Sequence, residues 1–185
     1  MAKVCVEFLK SLKKMKNKLA CNIRKYSDAN YVQTVDWLND IEIKELFGIT
    51  YNVTLESHTQ WVTANPLTEL LALYFADQYV GNISLNYSPR HKSAYLQIYI
   101  GSPDFRGKGL GKKFMHQAMD YAFNIKEQHR IWLHVRETNL AAINLYVKLG
   151  FKVEGLERES IWDGRLFINQ KVMSILAHEF KKDKL

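Results

Sequence analysis

The chain has 185 residues, 47% of them hydrophobic and 24% charged, which suits one folded domain with a full core and excludes disordered and fibrous classes. Its net charge of +7 does not describe a nucleic-acid-binding face: residues 1–20 carry six lysines against Glu7, the closing "KKDKL" is basic, and residues 21–180 are neutral on balance. Cys5 and Cys21 have neither metal-ligand spacing nor a disulfide framework, no apolar run reaches the ~18 residues of a membrane span, and charges interrupt the start before signal-peptide length, so a cytoplasmic protein without a span is expected.

Val4, Phe8, Leu12, Met15 and Leu19 recur at helical spacing, so residues 1–20 read as a basic amphipathic helical extension. Its apolar face is expected to dock on its own domain or on a second subunit, as in a homodimer, rather than on a membrane. Residues 21–180 then form a single domain, and 181–185 a basic tail. A short strand is expected at Cys21–Tyr26, a helix from Asp28 through Leu38, and a second helix in "NDIEIKELFG" stopped by Gly48. A third helix in "TLESHTQWVTANP" ends at Pro66, and "TELLALYFADQYVGNISLNY" reads as a hairpin turning near Asp77 and Gln78.

The strand "SAYLQIYIG" alternates cleanly, with Ala94, Leu96, Ile98 and Ile100 on one face and Tyr95, Gln97 and Tyr99 on the other. It feeds a glycine-rich loop, and Phe114, Met115, Ala118, Met119, Ala122 and Ile125 then give one stripe of a helix of about four turns. A strand "RIWLHVRE" follows, completing a strand–helix–strand unit whose strands are expected to be parallel. Asn139 caps a helix that Gly150 ends, and the remaining chain reads as an antiparallel hairpin around Asp163 and Gly164. The fold class is mixed α/β: a central, mostly antiparallel twisted sheet with one parallel pair and helices on both faces.

The loop "GSPDFRGKGLGKKF" exposes several backbone N–H groups where a helix begins, beside a cluster of cations, which is the chemistry of a phosphate cradle. It is not a nucleotide P-loop, because Arg106 stands five residues after Gly101 and Lys108 is followed by Gly109 instead of a hydroxyl residue. Nor is it a dinucleotide fingerprint, because Gly107, Gly109 and Gly111 have the wrong spacing. The pattern R-x-x-G-x-G, Arg106 to Gly111, followed after a strand by "NLAAINLYVKLGF", Asn139 to Phe151, resembles the GCN5-related N-acetyltransferase (GNAT) superfamily. The likeness is to the branch with ribosomal-protein-alanine and spermidine acetyltransferases, to which "WDGRLFINQKVMSIL" is also similar in style.

That resemblance implies acetyl-CoA as co-substrate, transfer of its acetyl group to a primary amine (a protein N-terminus, a polyamine or an amino sugar), and no metal. It implies that Arg106, Gly107, Lys108, Gly109, Leu110, Gly111 and Lys112 hold the pyrophosphate, and that the backbone of Ile98, Tyr99 and Ile100 pairs with the pantetheine arm. Asn139, itself an N-cap, meets the cofactor amide. Tyr146, two helical turns beyond Asn139, is the candidate acid for the departing thiolate, since a phenol of reference pKa near 10 is protonated at neutral pH. Relatives often carry a glutamate on the strand before the loop; this chain offers Tyr95 and Gln97, which leaves His134 as a candidate base and a relay through Tyr95 or water open. The acceptor pocket is expected near Trp37, Trp61 and the turn from Tyr87 to Ser93, with Asp36, Asp40, Glu42 and Glu45 available to a polyamine and Arg90, His91 and Lys92 to an acidic acceptor. A non-catalytic acyl-CoA-binding module is the alternative to an enzyme.

Overall fold

The computed structural model describes residues 21–181; the expected N-terminal helix, Cys5 and residues 182–185 lie outside the described residues. Period-two patterning builds seven strands: β1 (Cys21–Lys25), β2 (Thr68–Phe75), β3 (Gln78–Ser88), β4 (Ser93–Ile100), β5 (Arg130–Arg136), β6 (Lys152–Trp162) and β7 (Phe167–Leu176). They form one sheet in the order β1-β2-β3-β4-β5-β7-β6. Only β4 and β5 run parallel; every other neighbouring pair is antiparallel. The expected fold class is therefore the observed one. The final hairpin differs in one respect from its simplest layout, since β7 inserts between β5 and β6 and leaves β6 at the edge.

Ala94, Leu96, Ile131, Leu133, Met173 and Ile175, each no more than 1% exposed, line one face of the sheet. Helix α4 (Leu110–Asp120) covers them with Phe114, Met115, Ala118 and Met119, all fully buried. Burying one such side chain contributes about 1.5–3 kcal/mol, so this contact anchors the strand–helix–strand unit. Gln117 ties the helix to β1, donating to the Cys21 carbonyl at 2.7 Å and accepting from the Ile23 N–H at 3.1 Å. The expected stripe runs one residue too far. After Asp120 the helix widens into a π-turn over Tyr121–Ile125, which rotates the following positions, and Ile125 is exposed instead of packed.

The other face carries α1 (Tyr31–Leu38), α2 (Ile41–Phe47) and α3 (Leu55–Ala64). Asp40 caps α2, accepting from the Glu42 and Ile43 N–H groups, and Gly48 stops it at φ +66°. Thr54 and Ser57 form a reciprocal capping box on α3. Beyond β5, Asn139 caps α5 (Leu140–Lys148), accepting from the Ala142 N–H at 3.1 Å. Between β2 and β3, Ala76 and Asp77 both adopt positive φ, the signature of a two-residue hairpin turn, so the turn falls one residue earlier than expected.

Candidate active site

The parallel pairing of β4 with β5 involves only Ser93–Tyr95 and Arg130–Trp132. Beyond Tyr95 and Trp132 the strands part, because β4 continues paired to β3 as far as Ile100 while β5 continues paired to β7 as far as Arg136. The notch leaves the stretch of β4 that contains Ile98, Tyr99 and Ile100 with a free backbone edge toward β5, an opening for an extended chain to pair with.

At the end of β4 the loop brings the backbone toward the same notch. Gly107 and Gly109 adopt φ +71° and +73°, and a Cβ built on either meets nothing within 4 Å. The positive φ turns the backbone to head helix α4, and the open space lets a ligand approach its N–H groups. The first N–H groups of α4, starting at Leu110 and Gly111, have no intrahelical acceptor and carry the positive end of the helix dipole. This bare cradle at a helix start fits a pyrophosphate.

Arg106 behaves differently from the expectation that its charge faces the phosphates. Its guanidinium donates to the carbonyls of Ile100 (3.0 Å) and Gly101 (2.9 Å) and is ion-paired with Glu42, with Asp40 at 3.7 Å. It clamps the loop to β4 and α2, and cationic charge at the cradle comes from exposed Lys108, Lys112 and Lys113. Trp37 is a buried wall rather than an acceptor contact, and its ring presses on Gly101 so closely that a Cβ there would lie 2.0 Å away.

Tyr146 belongs to the core cluster, 8% exposed, with its ring 5.7 Å from that of Phe151. Burial, helped by the nearby Tyr95, pushes its phenol up to about 12. Tyr95 and His134 share the opposite, polar face at the start of the notch, with His134 Nδ1 3.4 Å from the Tyr95 hydroxyl. His134 Nε2 lies 3.1 Å from Glu157 Oε2, within ion-pair range although not aligned for a hydrogen bond. Burial and the Glu157 charge raise the Tyr95 phenol, and a hydrogen bond from Gln97 opposes them. Asn139, its side chain engaged as the cap of α5, leads the helix that carries Tyr146. Glu157 escaped the sequence reading because it reaches His134 across β7, a proximity set by the strand order.

On the polar face a cavity of about 310 Å³ lies under the three early helices. Its floor is Asn82 and Ser84 of β3 with Gln97 and Tyr99 of β4, and its walls include Phe47, Tyr51, His58 and Trp61. Beneath it runs a buried hydrogen-bond network: Tyr26 meets Thr34 (2.8 Å) and His58 (2.7 Å), Thr34 meets Tyr79 (2.7 Å), and Asn82 bonds both Tyr79 (2.7 Å) and Tyr99 (2.8 Å). Burial raises Tyr79 and Tyr99, pushes Tyr26 up to about 12 and lowers His58, so all four are neutral near pH 7. A second hollow, about 430 Å³, opens farther down the same face, between His91, His129, Arg130 and the Trp132 ring. Of the expected acceptor residues, Trp61 lines the cavity and Ser88, His91 and Ser93 line the hollow; Asp36, Asp40, Glu42 and Glu45 line neither. No group of side chains among the described residues could hold a metal ion, and none of their helices is long and apolar enough to cross a membrane.

Comparison with known proteins agrees with this geometry. The chain is 39% identical over 99 residues to spermidine N(1)-acetyltransferase of Vibrio cholerae serotype O1, covering 53% of this chain and 55% of that protein. It is 37% identical over 90 residues to the enzyme of the same name from Escherichia coli K12, covering 49% and 48%. These matches span about half the length of the curated relatives. A crystal structure of the Vibrio cholerae spermidine N-acetyltransferase with CoA and spermine superposes with TM-score 0.81 at 24% identity, covering 86% of this chain and 96% of that one, which establishes the shared fold. The sequence pattern of the Acetyltransferase (GNAT) family matches residues 33–151, from α1 through the end of α5 to Phe151, and the chain belongs to that family.

Proposed function

We propose that the protein is an acetyl-CoA-dependent N-acetyltransferase acting on a primary amine. The observation that carries this reading is the convergence on one strand: the backbone edge of β4 faces the notch while its side chains floor the acceptor cavity. Acetyl-CoA supplies the thioester whose acyl carbon the amine attacks. The loop Gly107–Lys112 holds the pyrophosphate through N–H groups and lysines, and Ile98–Ile100 orient the arm by strand-like pairing. As the N–C bond forms and the C–S bond breaks, the amine gives up a proton and the sulfur departs as a thiolate that takes its proton from water.

An amine of reference pKa near 10.4 costs about 4–5 kcal/mol to deprotonate at pH 7. His134, held between Tyr95 and Glu157 at the start of the notch, takes that proton. Tyr146 stays protonated and donates a hydrogen bond to the sulfur; with its phenol near 12 and a thiol near 8.5, complete transfer would be uphill by about 5 kcal/mol. Asn139 sets the start of α5 and thereby the place of Tyr146. Buried, unpaired Cys21 suits a reducing cytoplasm. Spermidine reaches this chain as a candidate acceptor through the relatives' names; the cavity itself bears on the acceptor class below.

The test is thiol release from acetyl-CoA that depends on an added primary amine, with the acetylated product identified by mass. Tyr146→Phe is expected to lower kcat about a hundredfold with the KM for acetyl-CoA within about twofold. Unchanged kcat removes Tyr146 from the reaction. Tight acetyl-CoA binding with no product from any amine overturns the reading in favour of an acyl-CoA-binding module.

A further inference from the structure

Among the described residues, only uncharged side chains line the acceptor cavity. No carboxylate or cationic side chain stands among its lining residues; Thr34, Ser57, Asn82, Ser84 and Gln97 supply hydroxyl and amide groups. His58 and Tyr99 in that lining are neutral near pH 7, with burial pushing the imidazole down and the phenol up. Of the early acidic residues that a polycation would seek, Asp40 caps α2 and Glu42 is paired to Arg106, and neither these nor Asp36 and Glu45 line the cavity. An ammonium group buried without a counter-charge loses more in hydration than such a lining returns. The cavity therefore disfavours a chain of two or more ammonium groups. It favours a body that offers hydroxyls to amides on the floor and an apolar face to the Tyr51 and Trp61 rings at its wall.

We infer that the acceptor is an amino group borne on a neutral, hydroxyl-rich ring, the chemistry of an amino sugar, bound with the ring in this cavity and the nitrogen toward the notch. Gln97 and Tyr99, whose side chains form the floor, flank Ile98 on the strand that faces the donor, so an amine on such a ring lies next to the acyl group. The second hollow continues the same face: the cross-strand pair Ser84–Gln97 floors the cavity, and the next pair on that face, Asn86–Tyr95, borders the hollow. With His91 and His129 around it and Arg130, itself ion-paired to Glu154, at its side, the hollow has room and ring nitrogens to meet an acidic group carried by the same sugar.

The inference rests on the acetyltransferase reading, and its test separates the two. Full-length protein and acetyl-CoA are incubated with spermidine, spermine, free glucosamine, and an amino sugar linked to a nucleoside diphosphate, and kcat/KM is measured for each. The expected result is kcat/KM for at least one amino sugar ten or more times that for either polyamine; preference for the linked form alone assigns the second hollow to the diphosphate. A polyamine preferred over both sugars overturns this inference and leaves the acetyltransferase reading intact, whereas no product in any arm overturns both. A variant guards against a misleading panel: Ser84→Asp places a carboxylate on the cavity floor and is expected to raise the spermidine-to-glucosamine ratio of kcat/KM at least tenfold, with acetyl-CoA affinity unchanged as the check on folding. An unchanged ratio overturns the claim that missing charge sets the acceptor class.

Discussion

The donor side and the acceptor side of the proposed site are built on opposite principles. The donor cradle is backbone: two glycines at positive φ, the first N–H groups of α4 and the open edge of β4. The acceptor cavity is side chains, drawn from α1, α2, α3, β2, β3 and β4 and resting on a buried network of phenols, a threonine and an asparagine. A backbone cradle tolerates almost any side chain that does not fill it. A side-chain cavity changes with every residue that lines it.

Alkaline unfolding gives the largest effect and acts on buried phenols of both sides, leaving the glycine loop untouched. Tyr26, under the acceptor cavity, and Tyr146, in the core beside the notch, are both pushed up to about 12 by burial, whereas the glycine loop contains no phenol. A raised phenol contributes stability that is complete below pH 10 and is lost as pH rises through 12; by pH 11 these two account for about 3 kcal/mol. Urea midpoints recorded between pH 8 and 11 should fall accordingly, and a flat profile would contradict the buried, neutral network.

On the donor side, Gly109→Val puts a branched side chain at φ +73° and into the space beside the N–H groups. Acetyl-CoA affinity by calorimetry should drop about a hundredfold, near 2.7 kcal/mol, and undiminished affinity would show that the cradle binds elsewhere. Gly101→Ala strikes the packing of the loop's start against α1, because its methyl meets the Trp37 ring. Overpacking of this kind costs about 2 kcal/mol, read as a lower urea midpoint; an unshifted midpoint would mean that Trp37 yields freely. The smallest effect belongs to Glu157→Gln, which should lower kcat about fivefold, roughly 1 kcal/mol, with the KM for acetyl-CoA unchanged. No change in kcat would detach Glu157 from His134's role.

The same contrast explains what the sequence disclosed. The notch, loop and α5 lie within Ser93–Phe151, where each element follows the last through a short connection, so alternation, glycines and the Asn139 cap were readable in order. The cavity was not, because its floor and roof come from residues as far apart as Thr34 and Tyr99. Trp61 lines the cavity, while Trp37 proved to be a wall behind Gly101. Arg106 carried the right motif and a different job, since a motif fixes where a guanidinium starts and neighbouring carbonyls and carboxylates decide where it ends. Glu157 needed the strand order, which no local pattern encodes.

In the proposed reaction strand β4 serves both partners, one through its edge and the other through its polar face. Main-chain pairing along Ile98–Ile100 is indifferent to which side chains those positions and their neighbours carry, so Gln97 and Tyr99 are free to drift under selection for a new amine while the donor is held as before. A lineage built on this strand can diversify its acceptors by point substitution without ever passing through a form that has lost its acyl donor.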